Sequence, residues 1–166
     1  MQTLWAPWRM EYIEKESKEK SGCLFCPQIR GDNDRENLLV YHGPLTAVCM
    51  NKFPYSNGHT LVMPNRHVGE MDDLDEKELF ALFDTVRLTR QVVQKVMAPD
   101  GYNIGLNLGK VAGAGIPGHL HVHIVPRWEG DHNFMPVLAD VKVIPEHLER
   151  TREKIARSFA DLAGKE

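Results

Sequence analysis

"GHLHVHIVPR", residues 118–127, sets three of the chain's eight histidines at alternate positions, His119, His121 and His123. Apolar Leu120, Val122, Ile124 and Val125 stand between and after them. A period of two is the mark of a β-strand, whose successive side chains point to opposite faces. Residues 119–126 therefore read as a strand with an apolar face toward a core and a row of imidazoles, about 13 Å long, on the other face. The bland alternative is that the rings are structural. A buried imidazole needs partners for both ring nitrogens, however, and a core has little use for three in register. The row reads as chemistry.

Two chemistries compete for it. Three histidines could bind one catalytic metal, but same-face neighbours on a strand sit about 6.7 Å apart, and a row is strained when it converges on one ion. Alternatively the row runs along a ligand, with one imidazole as nucleophile and a neighbour as proton donor. A neutral imidazole attacks phosphorus without first losing a proton. The preceding "GKVAGAGIPG" (109–118) can present backbone N–H groups to phosphate oxygens, because glycine permits close approach.

Outward from this strand the pattern is coarse but consistent. "LLVYH" (38–42), "TAVCMN" (46–51), "HTLVMP" (59–64) and "YNIGLNLG" (102–109) are apolar runs bounded by Gly, Pro and Asn, hence antiparallel strands. From Asp72 the period changes: Leu74, Leu79, Leu82, Phe83, Val86, Val93 and Val96 fall on one helical face, and Pro99-Asp100-Gly101 stops the helix. A second helix is expected over 145–163, with Pro145 in its first turn. "SGCLFCPQIRGDNDREN" (21–37) reads as loop with at most a short helix. The sum is an α+β domain with a mostly antiparallel sheet, one long helix and a C-terminal helix.

Bulk properties narrow the partners. A chain of 166 residues is most simply one domain that buries roughly 70% of its unfolded surface. A formal charge of −3, with 20 Lys+Arg against 23 Asp+Glu, argues against nucleic-acid polymers and membrane surfaces, which select basic faces. It does not argue against a small phosphate ligand. "MQTLWAPWRMEYIEKESKEK" (1–20) has no signal-peptide run, no stretch could span a bilayer, and three cysteines do not make a disulfide framework, so a cytoplasmic protein is expected. Trp5 and Trp8 followed by mixed charge read as an arm whose aromatic end docks.

Cys23 and Cys26 in "CLFC" have metal-knuckle spacing. Two further ligands would have to come from His42, His59, His67, His119, His132 or His147. A redox pair and chance packing remain open at this level. Cys49, alone on an expected strand, reads as a small buried hydrophobe.

His119-Leu120-His121-Val122-His123-Ile124-Val125 resembles the signature of the histidine-triad (HIT) family, His-φ-His-φ-His-φ-φ with φ apolar. The likeness extends over about 20–128 and includes "NKFPYSNGHTLVMPNRH" and "GLNLG". The flanks "LWAPWRMEYI" and "PRWEGDHNFMPVLADVKVIPE" are similar to the branch that includes bacterial diadenosine tetraphosphate (Ap4A) phosphorylases.

The resemblance implies one HIT domain over 1–166, made of an arm (1–20), a core with zinc site and triad (21–128) and an extension with a helix (129–166). It implies a homodimer, with a tetramer as the alternative assembly. It implies a nucleotidyl transferase or hydrolase for a dinucleoside polyphosphate: Ap4A phosphorolysis first, hydrolysis or phosphoramidate cleavage second, a non-catalytic nucleotide sensor third. His121 would attack the α-phosphorus to give a nucleotidyl-histidine, with His123 stabilising charge or protonating the leaving group. Asn51 matches a ribose-contacting position and Asn107 one near the phosphates, while Phe53 or His42 would pack on the base. Cys23, Cys26, His67 and His119 would hold a structural zinc, a closed set with no open position. Hydrolase relatives often carry hydroxyl and amide side chains where this chain has Ala114-Gly115-Ile116-Pro117, so phosphate donors would come from the backbone of Gly113, Ala114 or Gly115, or from Lys110. The uridylyltransferase branch has Gln in place of His123 and a two-repeat chain, which argues against sugar-phosphate transfer.

Overall fold

The structure, a computed structural model, describes residues 22–131 and 144–163. The N-terminal arm with Trp5 and Trp8, His132 and most of the flank after Glu129 lie outside the described residues. Element order is α1 (Phe25–Arg30), β1 (Leu39–His42), β2 (Thr46–Met50), β3 (Thr60–Pro64), α2 (Glu76–Met97), β4 (Gly101–Leu106), β5 (Val122–Arg127) and α3 (Leu148–Ala163). The strands form one antiparallel sheet in the order β1-β2-β3-β5-β4. This is the α+β class expected. Among the described residues no helix is long and apolar enough to cross a membrane.

Both faces of the central strands are covered, which is why β2 and β3 are buried along their whole length and read as continuous apolar runs. On one face Val48, Met50, Val62, Val122 and Ile124 pack against Leu82, Val86, Val92 and Val93 of α2 and Ile155 and Phe159 of α3. On the other, Leu39, Ala47, Cys49, Leu61 and Met63 receive Phe25 and Ile29 of α1. Cys49 is the inert core thiol expected, 2% exposed and pushed up to about 12 by burial. Between β2 and β3 the chain turns through Gly58 at φ +74°, where any Cβ would also collide with the Met97 sulfur.

The structure departs most from the sequence expectations at three boundaries and on one helix face. β5 starts at Val122, not at residue 119, because the Leu120 N–H bonds to the Val68 carbonyl at 2.6 Å instead of joining the ladder. β4 ends at Leu106 because the loop with left-handed Gly109 and Gly113 begins there. α3 starts at Leu148, leaving Pro145 in the bend before it. On α2 the buried stripe runs through Glu78, Leu82, Thr85, Val86, Thr89, Val92 and Val93, while Leu79 and Phe83 of the expected face are 37% and 49% exposed.

The start of α2 is fixed by charge. Asp75 caps it, accepting from the Glu78 N–H at 2.8 Å while the Glu78 carboxylate accepts from the Asp75 N–H at 3.1 Å. The same carboxylate receives both Arg66 Nε (2.8 Å) and Nη2 (2.7 Å), and these donors hold the Glu78 carboxyl down to about 2. Because the folded value lies below the unfolded one, this stabilisation is complete above about pH 4.5 and is lost as pH falls toward about 2. Thermal melts of wild type and Glu78→Gln should accordingly converge as pH drops from 5 toward 2; a constant gap would show that the carboxylate charge is not what matters.

Candidate functional site

The site is assembled at the entry to β5. His119 is fully buried, and its Nε2–H donates to the Pro64 carbonyl at 2.8 Å. That bond commits the proton to Nε2 and leaves the Nδ1 lone pair facing the thiols, 3.2 Å from Cys23 Sγ and 3.7 Å from Cys26 Sγ. His67 Nδ1 lies 3.3 Å from Cys26 Sγ. The four ligand atoms of Cys23, Cys26, His67 and His119 all fall within 4.8 Å of one another. Tetrahedral zinc with ordinary Zn–S and Zn–N bonds requires a sulfur–nitrogen separation of about 3.5 Å, so this donor set fits the metal. Burial and the neighbouring Cys23 push the Cys26 thiol up, the unfavourable pairing that a cation would relieve. Burial also holds His119 below the usual imidazole value, in the neutral form a metal binds.

One turn of the same logic governs His121. Its Nδ1–H donates to the His119 carbonyl at 2.8 Å, so the lone pair sits on Nε2. Burial keeps this ring, 7% exposed, below the usual imidazole range and therefore uncharged. Phe25, from between the two cysteines, sets its ring edge-on against both His119 (5.5 Å between centroids) and His121 (5.1 Å). Knuckle, first histidine and second histidine thus form one packed unit.

His123 lies beside His121, ring centroids 5.0 Å apart, but has the opposite polarity. His59 Nδ1 accepts the Tyr55 backbone N–H at 3.1 Å, and Asn51 Nδ2 lies 3.3 Å from the same nitrogen. Asn51 is oriented by the Phe53 N–H on its Oδ1 at 2.9 Å. His59 must then carry its proton on Nε2, which donates to His123 Nδ1 at 2.9 Å. The proton of neutral His123 is left on Nε2. The site therefore presents a lone pair on His121 Nε2 and a donor on His123 Nε2.

His59 is a candidate site residue that the sequence marks only as a possible metal ligand. The sequence carries no signal for this role, which follows from the fold: β3 pairs Leu61 with His123, so His59, two residues before Leu61, lies on the same face. Replacing His59 by alanine frees the His123 tautomer and should lower kcat roughly 10- to 100-fold, the range for groups that orient a reacting neighbour. Steady-state kinetics of that variant would check it, and unchanged kcat would show that His59 does not orient His123.

The remaining residues are distributed around this centre. Phe53 follows Asn51 and is 57% exposed. Asn107 Nδ2 donates to the Gly113 carbonyl at 3.4 Å. Lys110 opens an exposed 3-10 turn (Lys110–Ala112), and the N–H groups of Gly113 and Ala114 close that loop on the Lys110 and Gly109 carbonyls. Gly115 is exposed beside them. His42 is not brought to the site: it pairs with Ala47, at the end of β2 remote from Asn51.

Comparisons with known proteins agree with this geometry. The family described as HIT domain matches residues 33–130. AP-4-A phosphorylase of Mycobacterium tuberculosis (strain ATCC 25618 / H37Rv) is 39% identical over 166 residues, covering 96% of this chain and 85% of that protein. The asymmetrical bis(5'-nucleosyl)-tetraphosphatase of Schizosaccharomyces pombe is 43% identical over 93 residues, 56% of this chain and 50% of that one. The crystal structure of a hypothetical histidine triad nucleotide-binding protein from Sulfolobus tokodaii strain7 superposes with a TM-score of 0.69 at 33% identity, covering 86% and 95% of the two chains.

Proposed function

The chain belongs to the histidine-triad family and is a nucleotide-processing enzyme, and we propose that it is an Ap4A phosphorylase. The observation that carries this is the pair of opposite ring states, a lone pair on His121 Nε2 next to a donor on His123 Nε2. In the proposed first step His121 Nε2 bonds to the α-phosphorus and the P–O bond to the β-phosphate breaks. Its electron pair leaves with ATP, and the His123 N–H steadies the departing oxygen. An oxygen of inorganic phosphate then attacks the same phosphorus, the P–N bond breaks, and ADP leaves with His121 restored.

Asn51 and Phe53 would hold the ribose and base of the transferred nucleotide. Asn107, Lys110 and the Gly115 backbone would hold its phosphates, while the N–H groups of Gly113 and Ala114, expected as phosphate donors, are taken up by the Lys110 and Gly109 carbonyls. Cys23, Cys26, His67 and His119 would bind a structural zinc, which supplies cross-linking of the N-terminal loop to the sheet and no chemistry. The whole chain would act as one HIT domain, and a homodimer would use the open edge of β4 and the exposed Leu79, Phe80 and Phe83 of α2.

Phosphorolysis over hydrolysis is supported by the 39% identity along almost the whole chain. Hydrolysis is favoured by the shorter match to the tetraphosphatase. Ion-exchange analysis of Ap4A incubated with and without inorganic phosphate separates them: ADP plus ATP only with phosphate is the expected result. AMP plus ATP without phosphate would make it the hydrolase. No turnover while nucleotide still binds would leave a sensor.

A further inference from the structure

The loop between β2 and β3 does more than reverse the chain. Two of its main-chain donors converge on His59: the Tyr55 N–H reaches Nδ1 at 3.1 Å, and the Phe53 N–H holds the Asn51 amide that lies 3.3 Å from the same nitrogen. We propose that Ser56 is a positioning residue for the nucleotidyl transfer: it clamps this loop to β5, and the loop selects which nitrogen of His123 carries the proton. The inference rests on the phosphoryl-transfer reading above and deepens it.

The selection is a choice between two neutral arrangements of one ring pair. His59 Nε2 and His123 Nδ1 share a single proton across 2.9 Å. With that proton belonging to His59, His123 keeps its own on Nε2, as a donor for the departing oxygen. If the His59 proton moves to Nδ1, His123 must supply the shared proton from its own Nδ1. Its Nε2 then becomes a bare lone pair and steadies nothing. The second arrangement also sets an N–H on His59 Nδ1 against the Tyr55 N–H. A side-chain amide can turn and offer its oxygen instead, but a main-chain N–H cannot. The useful arrangement therefore depends on the Tyr55 N–H staying in place.

Ser56, the next residue, is what holds it. β3 and β5 pair as far as Thr60 and Ile124. Two residues further on, the position opposite Pro126 would fall to Gly58, where the chain turns away at φ +74°. Pro126 is buried, and its carbonyl would be left without a strand partner there. Ser56 Oγ–H supplies the bond at 2.7 Å, nearer than the 3.4 Å to the adjacent Asn57 carbonyl. A serine in a turn ordinarily bonds within its own loop. This one reaches across 70 residues to the strand that carries His121 and His123.

A second anchor comes from outside the span that matches the family, residues 33–130. Thr151 of α3 is fully buried, and its hydroxyl lies 3.3 Å from Asn57 Oδ1 and 2.9 Å from Glu146 Oε2. One proton between two acceptors is a three-centre bond, common at helix ends. A helix cap needs Glu146 alone; the contact with Asn57 ties the same loop down from its other side.

Side-chain proton–nitrogen NMR of the histidines in the full-length protein reads the ring states directly. Wild type should carry the protons of His59 and His123 on Nε2. In Ser56→Ala both rings should shift toward the Nδ1 form, while His121, held by the His119 carbonyl, stays as it is. The kcat for Ap4A should fall about tenfold, the low end for groups that orient a reacting neighbour. In a His59→Ala background the same change should cost nothing further, because losses through one relay do not multiply. Thr151→Val should repeat both effects in weaker form and Thr151→Ser should undo them, which decides the matter if Ser56→Ala folds poorly. Unchanged His123 spectra in Ser56→Ala and Thr151→Val, or losses that multiply with His59→Ala, would overturn the proposal and leave a clamp that serves stability alone. A wild type that turns over no Ap4A would strike the phosphorolysis instead, and the spectra would still decide the clamp.

Discussion

His121→Asn should reduce Ap4A turnover by on the order of 10⁴-fold or more, the scale seen when a covalent nucleophile is removed. Asparagine is close in size and its side-chain N–H₂ can still donate to the His119 carbonyl, so the pocket survives while the attacking lone pair is gone. A carboxamide nitrogen is not nucleophilic. Mass spectrometry of acid-free quenched wild type should show an increment of one nucleotidyl group on His121, absent from the variant. His123→Asn should cost less, about 10²-fold, because a polyphosphate leaving group departs without a full proton transfer and loses only one stabilising donor. If His121→Asn retained a tenth of the activity, or if the adduct mapped to His123, the assignment of opposite ring states would be wrong.

That assignment was only half legible in the sequence. Alternation of histidine and apolar residues over 119–125 does correspond to two faces: Leu120, Val122 and Ile124 lie in the core with α2 and α3. The polarity of each ring could not be read, because it is set by carbonyls and side chains distant in sequence. Pro64 acts on His119, 55 residues away, and His59 acts on His123, 64 residues away. Local pattern contains no information about such partners.

The same limit appears on α2. Periodicity put Leu79 and Phe83 on the buried side, but the stripe is completed by polar Thr85 and Thr89. Thr85 Oγ1 is 2.8 Å from Thr46 Oγ1, and Thr89 Oγ1 donates to the Thr85 carbonyl at 2.7 Å. Hydroxyls satisfied in this way are at home in a core, yet a hydropathy pattern counts them as outside. The candidate metal ligands show the reverse case. Cys23 and Cys26 were marked by spacing alone, six histidines were possible partners, and it was the family resemblance that singled out His67 and His119. The fold then brings all four ligand atoms within 4.8 Å.

Cys26→Ser is the substitution that puts that cluster to the test. Removing one thiolate from a closed four-ligand site should release the metal and destabilise the domain by on the order of 4 kcal/mol or more. For a chain of this size that is a fall of roughly 10 °C or more in Tm. Turnover should fall as well, although Cys26 touches no substrate, because the unit Cys–Phe25–His119 also orients His121: the His119 carbonyl holds its Nδ1–H, and Phe25 packs on its ring. Cys49→Ala supplies the control, since that thiol is buried in the core and is not one of the four grouped ligands, so its loss should leave zinc content at one per chain. Elemental analysis and thermal melts of the three proteins give the readings. A wild type that holds no zinc but shows a Cys23–Cys26 disulfide, opened by dithiothreitol, would return the pair to redox chemistry. Zinc lost at unchanged Tm would mean that the knuckle is an ornament on a sheet already stable without it.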